Sequence, residues 1–477
     1  MTGTLPHDRG VADRKPRGAV PLGLLTDLYQ LTMGAAYVQS GISETRASFE
    51  LFVRRLPRAR SYLVTAGLEQ GLEYLSELRF RGPEISFLRR HPLFRHAPAA
   101  FFERLRALRF TGDVWAMPEG TIAFADEPLL RIEAPLIEAQ LVETFVLSMI
   151  NFQTTVASKA ARIVQAAAGR PVIEFGTRRA HTAYAGLYGA RAAFIGGCAG
   201  TSNVAAGYAF GIPILGTFAH SFVQAFPTES AAFQAFWATF RERTTLLIDT
   251  YDPLQGTERA ARLPRPIAAV RLDSGDFHVV TRHMRQILDQ HGRPEIRMMA
   301  TGDLNEYRIE DLSRLKAPID SYGVGTELIT SQDAPALGGV YKLVEIERAG
   351  RAVGTAKFSL EKLSYPGRKQ VYRRQEVARR RFHSDLIARV GEAAPRDPRF
   401  RLLPLLRPVM RQGLPLRPAE DVRHAQRRSA QQLDQLPARY KRLVEAARYP
   451  VAHSPRLREL LQQVREDEGD VGADGEQ

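Results

Sequence analysis

The apolar positions along the chain fall into two textures. Up to about residue 150, helical and alternating segments are mixed. Leu24 to Tyr37 carries Leu28, Leu31 and Ala35 at helical spacing, with Thr26 placed as an N-cap and Gly41 beyond the end. Ser48 to Val53 alternates, with Phe49, Leu51 and Val53 on one side, which predicts a strand. Leu68 to Leu78 returns to the helical period, and the runs around Val114 and Ile122 add strands, so the region reads as α+β.

From Pro171 the pattern becomes strand, polar loop, helix, repeated. Seven apolar runs are expected as buried parallel strands: Val172 to Phe175, Ala192 to Ile195, Pro213 to Leu215, Thr245 to Ile248, Ile267 to Leu272, Ile296 to Ala300 and Ser321 to Val324. Each is followed by hydroxyl, charged or glycine residues. A parallel array that collects polar groups at the carboxyl ends of its strands predicts a β/α barrel with its site on that face. Seven units fall one short of eight, so an irregular, incomplete barrel is expected.

The run Pro213-Ile214-Leu215 stops at Gly216 and then presents Thr217, His220 and Ser221. A histidine there is placed to react, or to hydrogen-bond backbone. Gly196-Gly197 with Gly200 and Thr201 is compatible with a phosphate nest and equally with a plain turn. The loop Gly323-Val324-Gly325-Thr326 has the same two readings. Asp249, Asp273, Asp276 and Asp303 would converge at one barrel mouth, where like charges repel unless a cation, an arginine or a hydroxyl-rich ligand sits among them. Arg178 and Arg179 supply the opposite sign, either for a carboxylate or phosphate ligand or for ion pairs with those acids.

Composition narrows the class. With 477 residues, 44% of them apolar, the chain has material for two or three domains. Met1 to Val20 has no apolar h-region and reads as a disordered tail. The apolar stretch Leu129 to Ile150 is broken by Arg131, Glu133, Glu138 and Glu143, so neither signal peptide nor membrane span is expected and the cytoplasm is the expected location. The one cysteine, Cys198, excludes an intramolecular disulfide and reads as a small buried hydrophobe. The net charge of +14 is concentrated: Gly367 to Ala430 holds 17 Arg plus Lys against 6 Asp plus Glu. Arginine outnumbers lysine 58 to 8 throughout, so this tract is expected to be a solvated basic face rather than a nucleic-acid site.

Several motifs together carry a family resemblance. Thr26-Asp27-Leu28-Tyr29-Gln30-Leu31-Thr32-Met33, Phe49-Glu50-Leu51-Phe52-Val53-Arg54, Glu174-Phe175-Gly176-Thr177-Arg178-Arg179, Gly216-Thr217-Phe218-Ala219-His220-Ser221-Phe222-Val223, Arg271-Leu272-Asp273-Ser274-Gly275-Asp276 and Leu337-Gly338-Gly339-Val340-Tyr341-Lys342-Leu343 resemble nicotinate phosphoribosyltransferases, in family order over most of the chain. The resemblance implies an α/β fold: an irregular seven-stranded barrel of the type II phosphoribosyltransferase kind at 151–340, an N-terminal sandwich-like domain at 21–150, and a C-terminal extension at 341–477 that completes the sandwich and packs on the barrel. It implies a homodimer. It also implies the first step of NAD salvage from nicotinate: nicotinate and phosphoribosyl pyrophosphate give nicotinate mononucleotide and pyrophosphate, coupled to ATP hydrolysis, with Mg²⁺ near Asp273 and Asp276. By motif, His220 resembles the histidine that ATP phosphorylates, and Asp273, Asp276 and Glu174 resemble catalytic acids. Tyr29, Arg178 and Thr217 resemble nicotinate contacts; Ser202, Gly302, Asp303, Gly325 and Thr326 resemble phosphoribosyl pyrophosphate ligands.

Overall fold

A computed structural model describes residues 20–58, 60–358, 363–393 and 397–473. The tail expected at Met1 to Val20 lies, but for Val20, outside the described residues. Two hydrophobic cores organise the rest, one around the N-terminal sheet and one around a parallel sheet.

The N-terminal sheet has seven antiparallel strands. Arg46–Val53 lies near its middle, paired on one side with Pro128–Pro135 and on the other with Gly339–Arg348. Asp113–Ala116, Arg351–Gly354, Arg407–Arg411 and Leu414–Pro415 complete it. Residues far apart in sequence therefore share this sheet. The alternation at 48–53 marks the strand correctly, yet both of its faces are covered, because Ser48 and Glu50 are buried along with the apolar positions. The helix expected from Leu24 runs Leu28–Gln39 instead. Asp27 is its N-cap residue, without a side-chain cap bond, and the Thr26 hydroxyl turns to Gln30.

The parallel sheet orders six strands: Gly200–Thr201, Val172–Glu174, Ser321–Val324, Arg297–Ala300, Ala269–Leu272 and Thr245–Leu247. Two of the seven expected runs differ. Ala192 to Ile195 is the last turn of the helix Ala183–Ile195, and its strand comes five residues later at Gly200. An apolar run of four residues reads alike in a buried helix end and a buried strand. Pro213 to Leu215 contributes a single bridge, Ile214 against Thr201. Gly196 and Gly197 close that helix rather than a phosphate nest; a Cβ on Gly196 would lie 2.4 Å from the Ala157 carbonyl oxygen of the long helix Glu143–Ala166. Cys198 is fully buried, and burial pushes its thiol up.

The basic tract departs from expectation. It forms three strands of a four-stranded sheet, Lys369–Glu376, Phe382–Arg389 and Phe400–Pro404, beside Val451–His453. Lys369 and Arg373 are buried, paired with Glu50 at 2.9 Å and Asp385 at 2.5 Å, and Arg368 bridges Glu133 and Glu345. Lys369 and Arg368 tie the C-terminal stretch to the N-terminal sheet, while Arg373 joins two strands within the C-terminal one. No helix among the described residues is long and apolar enough to cross a membrane.

Candidate active site

The carboxyl ends of the parallel strands surround a cavity of ≈ 250 Å³. Arg178, Asp273, Gly302, Asp303, Gly325 and Thr326, six of the residues singled out by motif, line it, joined by Arg179, Arg271, Thr301 and Glu327. All but Arg271, which lies in the strand Ala269–Leu272, come from the segments that follow the strand ends. The loop at Gly302 is possible only for glycine: its φ is +95°, and a Cβ would lie 1.9 Å from the Asp273 carbonyl oxygen. Asp303 beside it also has a positive φ of 44°, and its carbonyl accepts from Arg308 Nη1 at 2.8 Å.

Asp273 is the hub. Its Oδ1 accepts from Arg271 Nη2 at 2.6 Å and from the Thr301 hydroxyl, while Oδ2 faces His220 Nε2 at 3.8 Å. Burial pushes the Asp273 carboxyl up, but the Arg271 cation, the Thr301 hydroxyl and His220 outweigh it and hold the acid below its ordinary value. It is therefore an anion at neutral pH. His220 opens the short helix His220–Gln224, its ring 41% exposed, with Nδ1 3.2 Å from Thr250 Oγ1. One nitrogen is thus held by a hydroxyl and the other faces a carboxylate and solvent.

Arg178 and Arg179 are exposed and have no ion-pair partner among the described residues. The pairing with the mouth acids that sequence left open is not made. Arg271 makes it instead, donating also to Thr301 Oγ1 at 2.8 Å and to the Phe218 carbonyl at 3.1 Å, which fastens the His220 loop to the sheet. Asp249 Oδ2 accepts from the Asp273 N–H at 2.9 Å and from Ser274 Oγ at 2.7 Å, leaving its buried Oδ1 without a partner.

Other predicted residues stand outside the cavity. Glu174 is fully buried and accepts from Thr201 Oγ1 at 2.6 Å and from the Gly176 N–H; burial raises its carboxyl against those two bonds. It braces two strand ends beneath the site. The Thr217 hydroxyl is spent on the Thr245 carbonyl at 2.7 Å. Asp276 caps the helix Phe277–Gln290 through the His278 and Val279 N–H groups. The Ser202 N–H bonds the Glu174 carbonyl at 2.9 Å. Tyr29 lies on the helix Leu28–Gln39, 47% exposed, its hydroxyl pushed up to about 12 by burial and by Glu143. Glu143 starts the helix whose sixteenth following residue, Lys159, pairs with Glu327 at the cavity wall, a separation of roughly 24 Å at 1.5 Å per residue. Tyr29 thus lies far from this cavity.

Thr301 and Lys159 had no role assigned from sequence. Arg271 had a signal: a cation inside the apolar run Ile267 to Leu272 needs a buried partner. Lys159, 1% exposed, likewise sits in an apolar stretch, held by Glu306 at 2.6 Å and Asp333 at 2.9 Å.

Family models described as the nicotinate phosphoribosyltransferase N-terminal domain, family and C-terminal domain match residues 24–151, 171–385 and 397–461. A nicotinate phosphoribosyltransferase of Mycobacterium tuberculosis is 45% identical over 442 residues, covering 91% of this chain and 92% of its own. One from Bacillus subtilis is 43% identical over 390 residues, with 80% and 79% covered. The crystal structure of human nicotinic acid phosphoribosyltransferase superposes with a TM-score of 0.80 at 28% identity, covering 92% of this chain and all of that one.

Proposed function

The chain belongs to the nicotinate phosphoribosyltransferase family, and from that premise we propose how its cavity forms nicotinate mononucleotide and pyrophosphate from nicotinate and phosphoribosyl pyrophosphate. The observation that carries the reading is one cavity uniting unpaired cations, Arg178 and Arg179, with an ionised Asp273 that faces His220. Arg178 takes the nicotinate carboxylate in paired charge-assisted bonds. The loops at Gly302-Asp303 and Gly325-Thr326 receive the phosphates of the sugar donor. Ribosyl transfer builds positive charge on the sugar, and Asp273, ionised and fixed by Arg271 and Thr301, lies where that charge is stabilised. Asp276 and Glu174 act by position: one anchors the helix after the Asp273 loop, the other joins two strand ends. Thr217 and Ser202 shape the loops that carry the contacts.

ATP coupling runs through His220. Its imidazole, held by Thr250 and facing Asp273, attacks the γ-phosphorus of ATP; a bond forms between ring nitrogen and phosphorus, ADP leaves, and water later releases phosphate. Mg²⁺ fits the site through few protein oxygens. No group of three or more acidic, histidine or cysteine side chains among the described residues is disposed to hold a metal, but Asp249 Oδ1 is buried and unpartnered next to Asp273, and Mg²⁺ is commonly held by one or two carboxylates plus substrate phosphates. When bound it neutralises pyrophosphate charge. Asp276, committed to its helix cap, is the weaker of the two acids expected near it.

The parallel sheet with the Ile214 segment as a seventh position is read as the irregular type II barrel, flanked by the sandwich and C-terminal regions at the boundaries given above. The active form is a homodimer, in which Tyr29 meets nicotinate from a second copy because it is remote from its own cavity. The experiment is product formation from nicotinate, nicotinamide and quinolinate, each with and without ATP. The reading requires nicotinate to be preferred, ATP to stimulate, and His220→Ala to lose both the stimulation and acid-labile phosphate from γ-labelled ATP. Equal use of the amide, or unchanged labelling of His220→Ala, overturns it.

A further inference from the structure

One buried cation has no part in the reaction as described so far. Lys159 lies on the long helix Glu143–Ala166, between Ser158 and Ala160, and all three are almost completely buried. Taking an ammonium out of water is costly unless anions meet it. Three carboxylates meet this one: Glu306 at 2.6 Å, Asp333 at 2.9 Å and Glu327 at 3.5 Å.

Two of those acids have another cation at hand. Glu306 faces Arg162 Nε at 3.1 Å, and Asp333 faces Arg60 Nη1 at 2.5 Å. Arg60 and Lys159 together hold the Asp333 carboxyl well below its ordinary value, against its burial. Neutralising buried acids is therefore a weak reason for the lysine. Glu327 is the odd member of the group, because it lines the catalytic cavity. A carboxylate in a site that receives phosphates repels them by its charge, so its presence there calls for a different role.

The three acids are distinguished by where they stand in the chain. Glu306 opens the helix Glu306–Arg314, just after the loop Gly302-Asp303. Glu327 follows Thr326 in the short helix Thr326–Ile329, and Asp333 lies further along the same segment. The helix Glu143–Ala166 packs against both of these helices. Arg162 thus meets the acid of the first loop and Arg60 an acid of the second, whereas Lys159 meets the acids of both.

We propose that Lys159 is a positioning residue for the sugar donor, holding Glu306 on one side and Glu327 with Asp333 on the other so that the two phosphate loops keep a fixed spacing. The inference rests on the reading of those loops given above and names what sets their distance. A donor that touches both loops at once binds well only when they stand at that distance. Loops fixed before the donor arrives also lose less freedom when it binds.

The experiment is steady-state kinetics on the full chain, with phosphoribosyl pyrophosphate and nicotinate varied in turn. Lys159→Met keeps an unbranched apolar stem, drops the charge, and leaves Arg162 on Glu306 and Arg60 on Asp333. It should raise KM for phosphoribosyl pyrophosphate on the order of tenfold and move KM for nicotinate less than about twofold. Glu327→Gln gives the sharper result. If the carboxylate acted through its charge alone, the amide would bind the anionic donor more tightly; a tether predicts a donor KM roughly three- to tenfold higher. The double variant should be no worse than Lys159→Met, because both changes cut the same tie. Should Lys159→Met fail to fold, Glu327→Gln decides by the sign of its effect, at a side chain 22% exposed. An unchanged or lowered donor KM in Glu327→Gln, or equal rises for donor and nicotinate in Lys159→Met, overturns the inference and leaves the proposed reaction standing. A wild type that forms no nicotinate mononucleotide from these substrates removes that reaction, and the inference with it.

Discussion

Arg373 and Arg178 carry the same guanidinium in opposite circumstances. Arg373 is 1% exposed, paired with Asp385 at 2.5 Å and packed over the rings of Phe382 and Phe124. Arg178 stands at the cavity with no ion-pair partner among the described residues. A buried charge must be paired to exist at all, so the first arginine reports on how the chain is assembled. An unpaired charge in a concave site keeps its bonding capacity for a ligand, so the second reports on what the chain binds. Net charge cannot separate the two.

The largest effect is expected where the pairing is buried. Asp385→Ala leaves Arg373 and the Tyr449 hydroxyl without their acceptor and should cost about 3–5 kcal/mol in urea unfolding. Joint replacement by Arg373→Met and Asp385→Leu should recover most of that loss. If Asp385→Ala were neutral, the contrast between the two arginines would collapse.

The same C-terminal sheet should show a distinct pH signature. His453, stacked on Tyr365 with ring centroids 3.8 Å apart, has its pKa pushed down to about 4 by burial, Lys369 and Arg458. Its folded state resists protonation while the unfolded chain takes up a proton near 6.5. The stability it contributes is therefore present above about pH 6.5 and lost as pH falls toward 4, by about 3 kcal/mol in all. Unfolding free energies from pH 7.5 to 4 should show that slope, and His453→Gln should flatten it. A slope unchanged in the variant would move the effect to another group.

At the cavity the effect should appear in catalysis and not in stability. Arg178→Gln should lower kcat/KM for nicotinate by roughly ten- to a hundredfold or more, since charged hydrogen bonds contribute about 1.5–3 kcal/mol each. The melting temperature should stay within a degree or two of wild type, roughly what an exposed substitution of under 0.5 kcal/mol produces. Equal losses for nicotinate and nicotinamide would assign Arg178 to phosphate or to the fold. The smallest change is expected from Arg314→Ala, whose pair with Asp311 is exposed on a helix surface and should contribute less than about 1 kcal/mol.

Much of this was legible in one dimension because some signals are local. The runs at Val172, Thr245, Ile267, Ile296 and Ser321 each became a parallel strand, since a strand buried on both faces must be apolar throughout. The loops after them were legible too, and six of the residues named from them do line one cavity. Ala192 to Ile195 was misread because four apolar residues do not distinguish a buried helix end from a strand.

Pairing was decided only by the tertiary structure. Arg271 rather than Arg178 meets Asp273, Thr217 turns its hydroxyl to Thr245, and Glu174 is enclosed beneath the site it was expected to enter. Lys369 finds Glu50 across more than 300 residues of chain, and Arg373 is buried inside a tract that reads as solvated. Apolar patterning depends on each residue's own transfer from water and so survives in the sequence. The partner of a charge depends on which distant residues the fold brings within a few ångströms, and that distance is written nowhere in the order of the residues.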